Sequence, residues 1–550
     1  MPSAAVLGPV VLPLVAAGVT GTFGLFGTNV GRLVPALGGW GCVAALLAVW
    51  VPVRSSVELA LGQLGYGSAF DMRIDAASLA FGLMVAVPTA LLLTLQPRTW
   101  QEATISLLAL ASAIAALESG GVVLTAIAGG TAATLAVVLL ETEDPRAPRP
   151  SWAVLLAGWL ALAWVGVLLQ VRGGTAVFSA VPVATVNAAI FALLGLSALL
   201  VSCLFPWRTW PAQLWSRPSL RAAGVTVAII FPLGFYILVR AYELGDGRYP
   251  SALFNAGLAA LGVVTAFAAG VRAQAAATRR EFLGEVIPFF GGLALSAIAI
   301  GTALGLVAGI VMLATASALV AALALLPDRA GFASLVAIAA AVGLPPGLAF
   351  ASRVVAIGAS FEAGDLLGLI GIAAVAAWLL LMVGGARAIG LPGGRGHPER
   401  ETFPNVSLAI SIGIFVAGPA LAAIQLGYAD PVAAEVMPGS TSSLGGGLTS
   451  IVTVSSVLPV VTLLVPLLLL GILLYALVGT SAIQTAARPV VFRLPAASTL
   501  ARARAAVRSL AVPEQYRSIL SMRELELAAT GGRPVLWLTA LVALAIAVTR

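Results

Sequence analysis

The sequence contains no lysine, and charged residues of any kind are scarce. All 29 basic residues among its 550 positions are arginines, and charged residues make up only 9% of the chain. Soluble domains carry about 25% charged residues, so the composition excludes a soluble globular protein. Hydrophobic residues reach 60% and the mean hydropathy is +1.06. The absence of lysine also matters chemically, because arginine does not release its proton in a protein whereas a buried lysine can.

Cysteine and histidine are almost absent. Cys42 and Cys203 both lie in apolar runs and form no CxxC pair, which excludes the usual zinc, iron–sulfur and disulfide patterns. The single histidine, His397, lies in the Gly- and Arg-rich stretch GGRGHPER. The sequence has no Gly-rich phosphate loop and no Ser-His-Asp set. We therefore expect no cofactor, no metal and no catalytic centre, although the chain can still be a subunit of a quinone-linked oxidoreductase.

Long apolar runs dominate what the chain does contain. A transmembrane helix needs about 20 apolar residues, and sixteen runs qualify. They lie near 4–28, 33–53, 75–96, 103–118, 121–140, 152–171, 183–205, 222–240, 252–271, 282–301, 303–326, 331–352, 366–386, 405–426, 449–480 and 534–549. The sequence thus predicts an all-α polytopic membrane protein with about 16 transmembrane helices.

The arginines predict the orientation of these helices. Loops that follow odd-numbered runs contain 22 arginines, whereas loops that follow even-numbered runs, together with the C-terminus, contain seven. Arginine accumulates in cytoplasmic loops. We therefore expect a protein integral to the bacterial plasma membrane, with both termini outside. The basic excess is explained by topology and by anionic lipid headgroups, so nucleic acid is not an expected partner.

One segment between runs is long and basic. Residues 484–533 interleave arginines with Leu, Val and Ala. Two interpretations stay open for it: a plain cytoplasmic connector, or an amphipathic helix that lies on the membrane or along a partner protein. Residues 534–550 would then form the final transmembrane helix.

Four stretches, in order, resemble motifs of the antiporter-like membrane subunits of respiratory complex I, membrane-bound hydrogenases and multisubunit cation/proton antiporters. FDMRIDAASLAFGLM at 70–84 resembles the opening of the family's third helix. LFPWRTWPAQLWSRPSL at 204–220 resembles its Pro-Phe-His-x-Trp-Leu-Pro motif. GVVTAFAAGVRAQAAATRREFLGEVIPFFGG at 262–292 and AVGLPPGLAFASR at 341–353 resemble the later Asp-Leu-Lys-Arg and Gly-x-Pro-Pro segments.

The resemblance implies about 14 core helices with two inverted five-helix repeats. It divides the chain into N-terminal helices 1–4 (1–118), a first repeat of helices 4–8 (103–240), a second repeat of helices 9–13 (252–387) and helices 14–15 (388–480). Each repeat should contain one broken helix, at Pro206-Trp207-Arg208 and at Pro345-Pro346. Proline lacks an amide donor, and paired interrupted helices are typical of a transport site.

The titratable residues on which the family depends are missing here. The fifth-helix glutamate should fall near Gly129 or Gly130, the seventh-helix lysine at Val201 and the eighth-helix lysine near Pro232. Arg208 stands where the family has histidine, and Arg353 keeps the positive charge of the twelfth-helix lysine. A proton path needs groups that gain and lose protons. We therefore expect a relative that does not pump by the usual route.

The remaining candidates are charged or aromatic residues at helix ends. Asp75, Glu118 and Glu141 each lie at the end of an apolar run, where solvation at the interface or a local ion pair is the simpler interpretation. Arg208 is expected to cap the broken helix end, whose carbonyls carry partial negative charge. Trp207 and Trp210 are expected to anchor it at the interface.

Three functions are compatible with the sequence. The first is a membrane subunit of a complex I-like or hydrogenase-like assembly, acting as a scaffold or as a modified pump module beside other membrane subunits and lipids. The second is a stand-alone or two-component ion or inorganic-carbon transporter of the same fold. The third, an enzyme acting on lipid-linked substrates, has only the acidic run ETEDPR at 141–146 to support it.

Overall fold

The computed structural model describes residues 3–27, 31–64, 68–96, 98–147, 150–202, 204–207, 210–329, 331–393 and 401–438. Within these ranges, eleven helices are long and apolar enough to span a membrane, and a bent pair of helices makes a twelfth. The predicted all-helical, polytopic membrane fold is confirmed.

The helices follow the predicted apolar runs closely. Their bounds are α1 Gly8–Leu25, α2 Leu33–Val53, α3 Ala76–Leu95, α4 Trp100–Leu117, α5 Val122–Glu143, α6 Trp152–Gly173, α7 Ala188–Val201, α8 Trp210–Trp215, α9 Arg221–Leu244, α10 Ala252–Ala275, α11 Arg279–Ala299, α12 Ala303–Ala324, α13 Phe332–Val342, α14 Leu348–Glu362, α15 Asp365–Ile389, α16 Pro404–Val416, α17 Leu421–Ile424 and α18 Asp430–Val436. A π-helical turn, Gln425–Ala429, connects α17 to α18.

A β-hairpin that the apolar runs do not predict joins α2 to α3. Its strands are β1 (Val57–Leu64) and β2 (Ser68–Ile74), which pair antiparallel. Along β2, Met72, Arg73 and Ile74 are all buried, with the apolar and charged side chains alternating as they do along a strand. The hairpin covers the α4–α5 turn, because Gly120 N–H donates to the Asp71 carbonyl at 2.9 Å. We call this end of the molecule the hairpin face.

Both predicted helix breaks are present. Helix α7 ends at Val201 and α8 begins at Trp210, whereas α13 ends at Val342 and α14 begins at Leu348. Both intervening segments contain a cis peptide bond before proline, at Pro206 and Pro346.

A third break was not predicted. The run near 405–426 bends by 57° after α16, at Gly418. A side chain at Gly418 would overlap the Pro346 carbonyl. Glycine is therefore required there, because the backbone of this bend lies directly against the break between α13 and α14.

Burial separates central from peripheral helices. In the most apolar stretch of each helix, every residue of α9 and of α11 is buried, and 89% of the residues of α12 are buried. Only 33% to 39% are buried in α1, α2 and α15. The central helices therefore pack only against protein, while the peripheral ones offer apolar surface to lipid or to other chains.

Several predictions fall outside the described residues. These are the runs at 449–480 and 534–549, the connector 484–533 and Arg208. Each of the first fourteen predicted runs contains a helix. The total of sixteen transmembrane helices, the domain bounds and the inverted-repeat symmetry remain predictions.

Candidate functional site

Helices α3 and α9 run antiparallel and carry a charged cluster at each end. At the hairpin face, Arg240 near the end of α9 lies 2.6 Å from Asp75 at the start of α3. At the opposite face, Arg98 donates to the Arg221 carbonyl at 2.7 Å. The 20 residues of α3 contain no charge, and at 1.5 Å per residue they separate the two clusters by about 30 Å.

The cluster at the hairpin face, here called the Asp75 cluster, consists of Arg73, Asp75, Arg240, Glu243 and Glu435. Asp75 Oδ2 lies 2.6 Å from Arg240 Nη2 and 2.9 Å from Arg73 Nε. Arg73 also contacts Glu243 at 2.7 Å and Glu435 at 2.5 Å. Glu243 closes the ring by contacting Arg240 at 2.6 Å. The cluster thus joins the hairpin, α3, α9 and α18.

Asp75 has two roles in this cluster. Its Oδ1 accepts the Ser78 N–H at 2.8 Å and caps α3, while its other oxygen faces the arginines. Burial raises the pKa of the Asp75 carboxyl, but Arg240 and Arg73 outweigh burial and hold that pKa down at about 2. Asp75 is therefore ionised at neutral pH, and the ion-pair interpretation describes its surroundings.

The cluster at the opposite face, here called the Glu143 cluster, consists of Glu102, Glu143, Arg217, Arg221 and Glu401. Arg221 lies 3.2 Å from both Glu102 and Glu401, and 3.5 Å from Glu143. Arg217 lies 3.5 Å from Glu143 and donates to the Leu140 carbonyl at 2.8 Å. The cluster joins α4, α5, the segment between α8 and α9, the start of α9, and the segment before α16.

The last turn of α5 contributes Glu143 to this cluster, and not Glu141, the residue singled out in the sequence. Glu141 is exposed, whereas the side chain of Glu143 is only 4% exposed. Two residues on a helix are about 200° apart, so the two glutamates point in opposite directions. The hydroxyl of Ser219 lies 2.7 Å from Glu143 and 2.8 Å from Glu401.

The middle of the molecule is apolar at the positions where the resemblance implies proton carriers. A side chain at Gly129 would overlap the ring of Trp159, which is 2% exposed. Val201 is fully buried and packs so closely on Gly158 that a side chain at position 158 would overlap it. Pro232 is buried inside α9. The expected carboxylate and ammonium groups are therefore absent from these positions, and at Gly129 the ring of Trp159 occupies the space that a side chain would need.

Arg353, on α14, is the charged residue that the break between α13 and α14 brings into the interior. It is fully buried, and its guanidinium donates to the carbonyls of Ala341, at 2.9 Å, and of Val342, which end α13. The same guanidinium lies over the rings of Phe290, Phe289 and Trp378, with distances of 4.5, 5.1 and 5.4 Å to their centres. Arg353 thus caps a half-helix and is surrounded by aromatic faces.

Glu118, at the end of α4, is neither solvated nor ion-paired among the described residues. Its side chain is fully buried, and neither carboxylate oxygen has a hydrogen-bond partner there. Burial raises the pKa of the Glu118 carboxyl well above its usual range. This behaviour differs from both interpretations considered for it, because burial under the hairpin favours the neutral form of the carboxyl.

The described residues at the break between α7 and α8 lie inside the protein. Trp207 and Trp210 are 5% and 4% exposed, and Trp207 packs on Val154, Ala157 and Leu200. Both rings therefore pack inside the protein beside the break, and their role as anchors at the membrane interface stays a prediction. Pro206 is partly buried, and among the second pair of prolines Pro345 is partly buried and Pro346 is exposed.

This arrangement favours fixed charges over moving ones. Each cluster satisfies its arginines with carboxylates or carbonyls from several elements, which fixes those elements relative to one another. Between the clusters, α3 and α12 contain no Asp, Glu, Lys, Arg or His. No group of three or more potential metal ligands occurs in the described part of the chain.

Several chains of solved membrane complexes share this fold. A chain of the Mrp complex from Dietzia sp. DQ12-45-1b is similar with a TM-score of 0.71 and 19% identity, over 98% of this chain and 62% of that one. A chain of respiratory complex I from Thermus thermophilus has a TM-score of 0.62 and 19% identity, over 79% of this chain and 100% of that one. A chain of the membrane-bound sulfane sulfur reductase, an archaeal respiratory membrane complex, has a TM-score of 0.62 and 17% identity, over 75% of this chain and 76% of that one.

These comparisons confirm the expected resemblance at the level of the fold. The present chain spans less than two thirds of the Mrp-complex chain. No protein-family model matches the sequence, and no curated protein matches it either. Shared architecture at these identities does not transfer an activity, so the function must be argued from the residues.

Proposed function

We propose that the chain is an integral membrane subunit of a multisubunit assembly of the complex I or Mrp kind, in which it serves as a scaffold or modified module and does not relay protons by the family's usual route. The three solved structures compared above are all named as complexes. The weakly buried helices α1, α2 and α15 supply apolar surface on which neighbouring membrane subunits can pack.

The packing at Gly129 is the observation that carries the second half of this proposal. Proton relay across about 30 Å of hydrocarbon needs several titratable stations or a hydrated column. Trp159 fills the space beside Gly129, and the chain has no lysine anywhere. A glutamate at position 129 would require a buried tryptophan to move, whereas position 130 leaves ordinary contact distance for a side chain. A single substitution at either position would still leave the chain without the lysines expected at Val201 and near Pro232.

The arginines support the same conclusion. Arg353 occupies the position of the family's lysine, but a guanidinium stays protonated at physiological pH and cannot pass a proton onward. Its contacts with the C-terminal end of α13 and with three aromatic rings explain a positive charge at this position without a transport role. The two charged clusters are positioned to fix helix ends rather than to move charge between them.

Assembly is tested by isolating the protein from its own membrane under gentle conditions. We expect purification in a mild detergent to recover other membrane proteins in fixed ratio, identified by mass spectrometry. Recovery of a monomer alone, at native expression level and in nanodiscs as well as in detergent, would contradict the subunit proposal and favour a stand-alone transporter.

The proposed orientation follows the arginine distribution. The opposite face, with the Glu143 cluster, would be cytoplasmic and the hairpin face would lie outside. A single cysteine placed in the hairpin, in a chain lacking Cys42 and Cys203, should react with an impermeant maleimide in whole cells. Labelling only after the membrane is opened would reverse the orientation.

A further inference from the structure

A groove of about 1050 Å³ runs along the surface of α10, between α8 and the start of α11. This volume is at the upper end of the range of about 300–1,000 Å³ that is typical of small-molecule sites. Nothing in the proposed function uses the groove.

The groove is apolar at one end and charged at the other. Val264, Phe267 and Val271 lie on one stripe of α10 and are 41%, 45% and 41% exposed. One residue later, Arg272 begins the polar end, which Glu281 and residues of α8 complete. The distance from Val264 to Arg272 along the helix is about 12 Å, so the lining changes from apolar to charged over the last turns of α10.

The charged end presents both signs. Arg272 Nε lies 2.8 Å from Glu285, yet the Arg272 side chain remains 48% exposed. Glu281 is also exposed, and one of its oxygens accepts the Ala277 N–H at 2.8 Å. A ligand that carries a phosphate and an ammonium group complements both residues, whereas a purely anionic headgroup would lie beside two carboxylates.

We propose that this groove binds one phospholipid with an amine headgroup, such as phosphatidylethanolamine. Its phosphate would contact Arg272, its ammonium would face Glu281, and an acyl chain would lie along Val264 and Phe267. The proposal rests on the groove alone and holds whether or not the chain is a subunit.

Native mass spectrometry tests this directly. The purified, delipidated chain is offered phosphatidylethanolamine and phosphatidylglycerol with identical acyl chains. We expect preferential retention of phosphatidylethanolamine. Arg272→Gln should weaken that retention about tenfold, and Val264→Trp, which fills the groove from an exposed position, should abolish it.

Two controls define what contradicts the proposal. Leu253→Trp changes an exposed residue on the same helix away from the groove, and Arg248→Gln removes an exposed arginine elsewhere; both should bind lipid normally. Equal retention of the two lipids, or retention that survives Val264→Trp, overturns it. So does a photo-crosslinker at position 267 that labels another protein rather than lipid in intact membranes.

Discussion

At the scale of single residues, the molecule is organised by buried arginines whose partners come from distant parts of the chain. Asp75 was predicted from a local motif, because the motif and the helix cap lie within a few residues. Arg240 and Glu435 were missed, because they contact the cluster from 165 and about 360 positions away. No local pattern marks such partners: an arginine near the end of an apolar helix has the same appearance whether it is paired or solvated.

We expect Asp75→Asn to lower the free energy of unfolding by about 2 kcal/mol, because Arg240 and Arg73 each lose a buried carboxylate contact, although Glu243 and Glu435 still neutralise them. Asparagine retains an oxygen that can accept the Ser78 N–H, so the helix cap is preserved. Thermal unfolding in detergent measures the change. Glu58→Gln is the matched control, since Glu58 is 57% exposed and 3.6 Å from Arg73; its effect should stay within about 0.5 kcal/mol.

The pH dependence of this difference has a defined sign. Because the pKa of Asp75 in the folded protein is lowered to about 2, its contribution is fully present above the unfolded value of about 3.9. It is lost as the pH falls through the folded value. The stability gap between the wild type and Asp75→Asn should therefore shrink as the pH falls below about 4. A gap that stays the same or widens as the pH falls from 5 to 2 would contradict this assignment.

The pH dependence of stability at Glu118 has the opposite sign to that at Asp75. Burial raises the pKa of its carboxyl in the folded protein, so above about pH 4.3 the unfolded chain loses a proton that the folded chain keeps. Stability then falls as the pH rises. Glu118→Gln should be more stable than the wild type at pH 8 and nearly equal to it at pH 4 in the same thermal assay. An equal difference at both values would show that Glu118 is ionised in the folded protein.

At the scale of elements, the positions of helices follow from apolar run length, but their interruptions depend on finer signals. Pro206 and Pro345 marked two breaks correctly. The bend at Gly418 lies in Ala-Gly-Pro, a weaker signal inside an otherwise continuous apolar run. Long apolar runs do not predict the hairpin, although Met72 and Ile74 alternate with Asp71 and Arg73 at the period of a strand.

The cap of α13 gives a prediction at this scale. Arg353→Lys keeps the charge but cannot bond two carbonyls in a fork or stack on aromatic rings as a guanidinium does. We expect it to cost about 1.5 kcal/mol and Arg353→Gln about 3 kcal/mol in thermal unfolding, since hydrogen bonds to charged groups contribute in this range. A lysine variant as stable as the wild type would show that charge alone suffices at this break.

At the scale of the whole molecule, the fold is that of chains from multisubunit membrane complexes, while the interior charges are arranged differently from what the resemblance implies. The missing titratable residues were evident from the sequence, because their motif positions could be aligned. That Trp159 fills the space at Gly129 could not be predicted, because it depends on how α5 and α6 face each other.

Deletion of residues 484–550 should release the protein from its partners while residues 1–480 remain folded. The basic, amphipathic composition of 484–533 is the reason for this prediction, since these residues lie outside the described part of the chain. Co-purification from membranes, with thermal unfolding of the truncated chain as the control for folding, measures both parts. Full recovery of the partners with the truncated chain would assign the contact to the helices instead.

The most direct test of the central claim is proton flux through the purified chain in liposomes under an imposed pH gradient. The account predicts flux no greater than that of empty vesicles, with an added uncoupler showing that the gradient was intact. Flux above that baseline that Glu118→Gln or Arg353→Gln abolishes, in variants shown to be folded, would contradict it. Such a result would establish a proton path that bypasses the packed glycine at position 129.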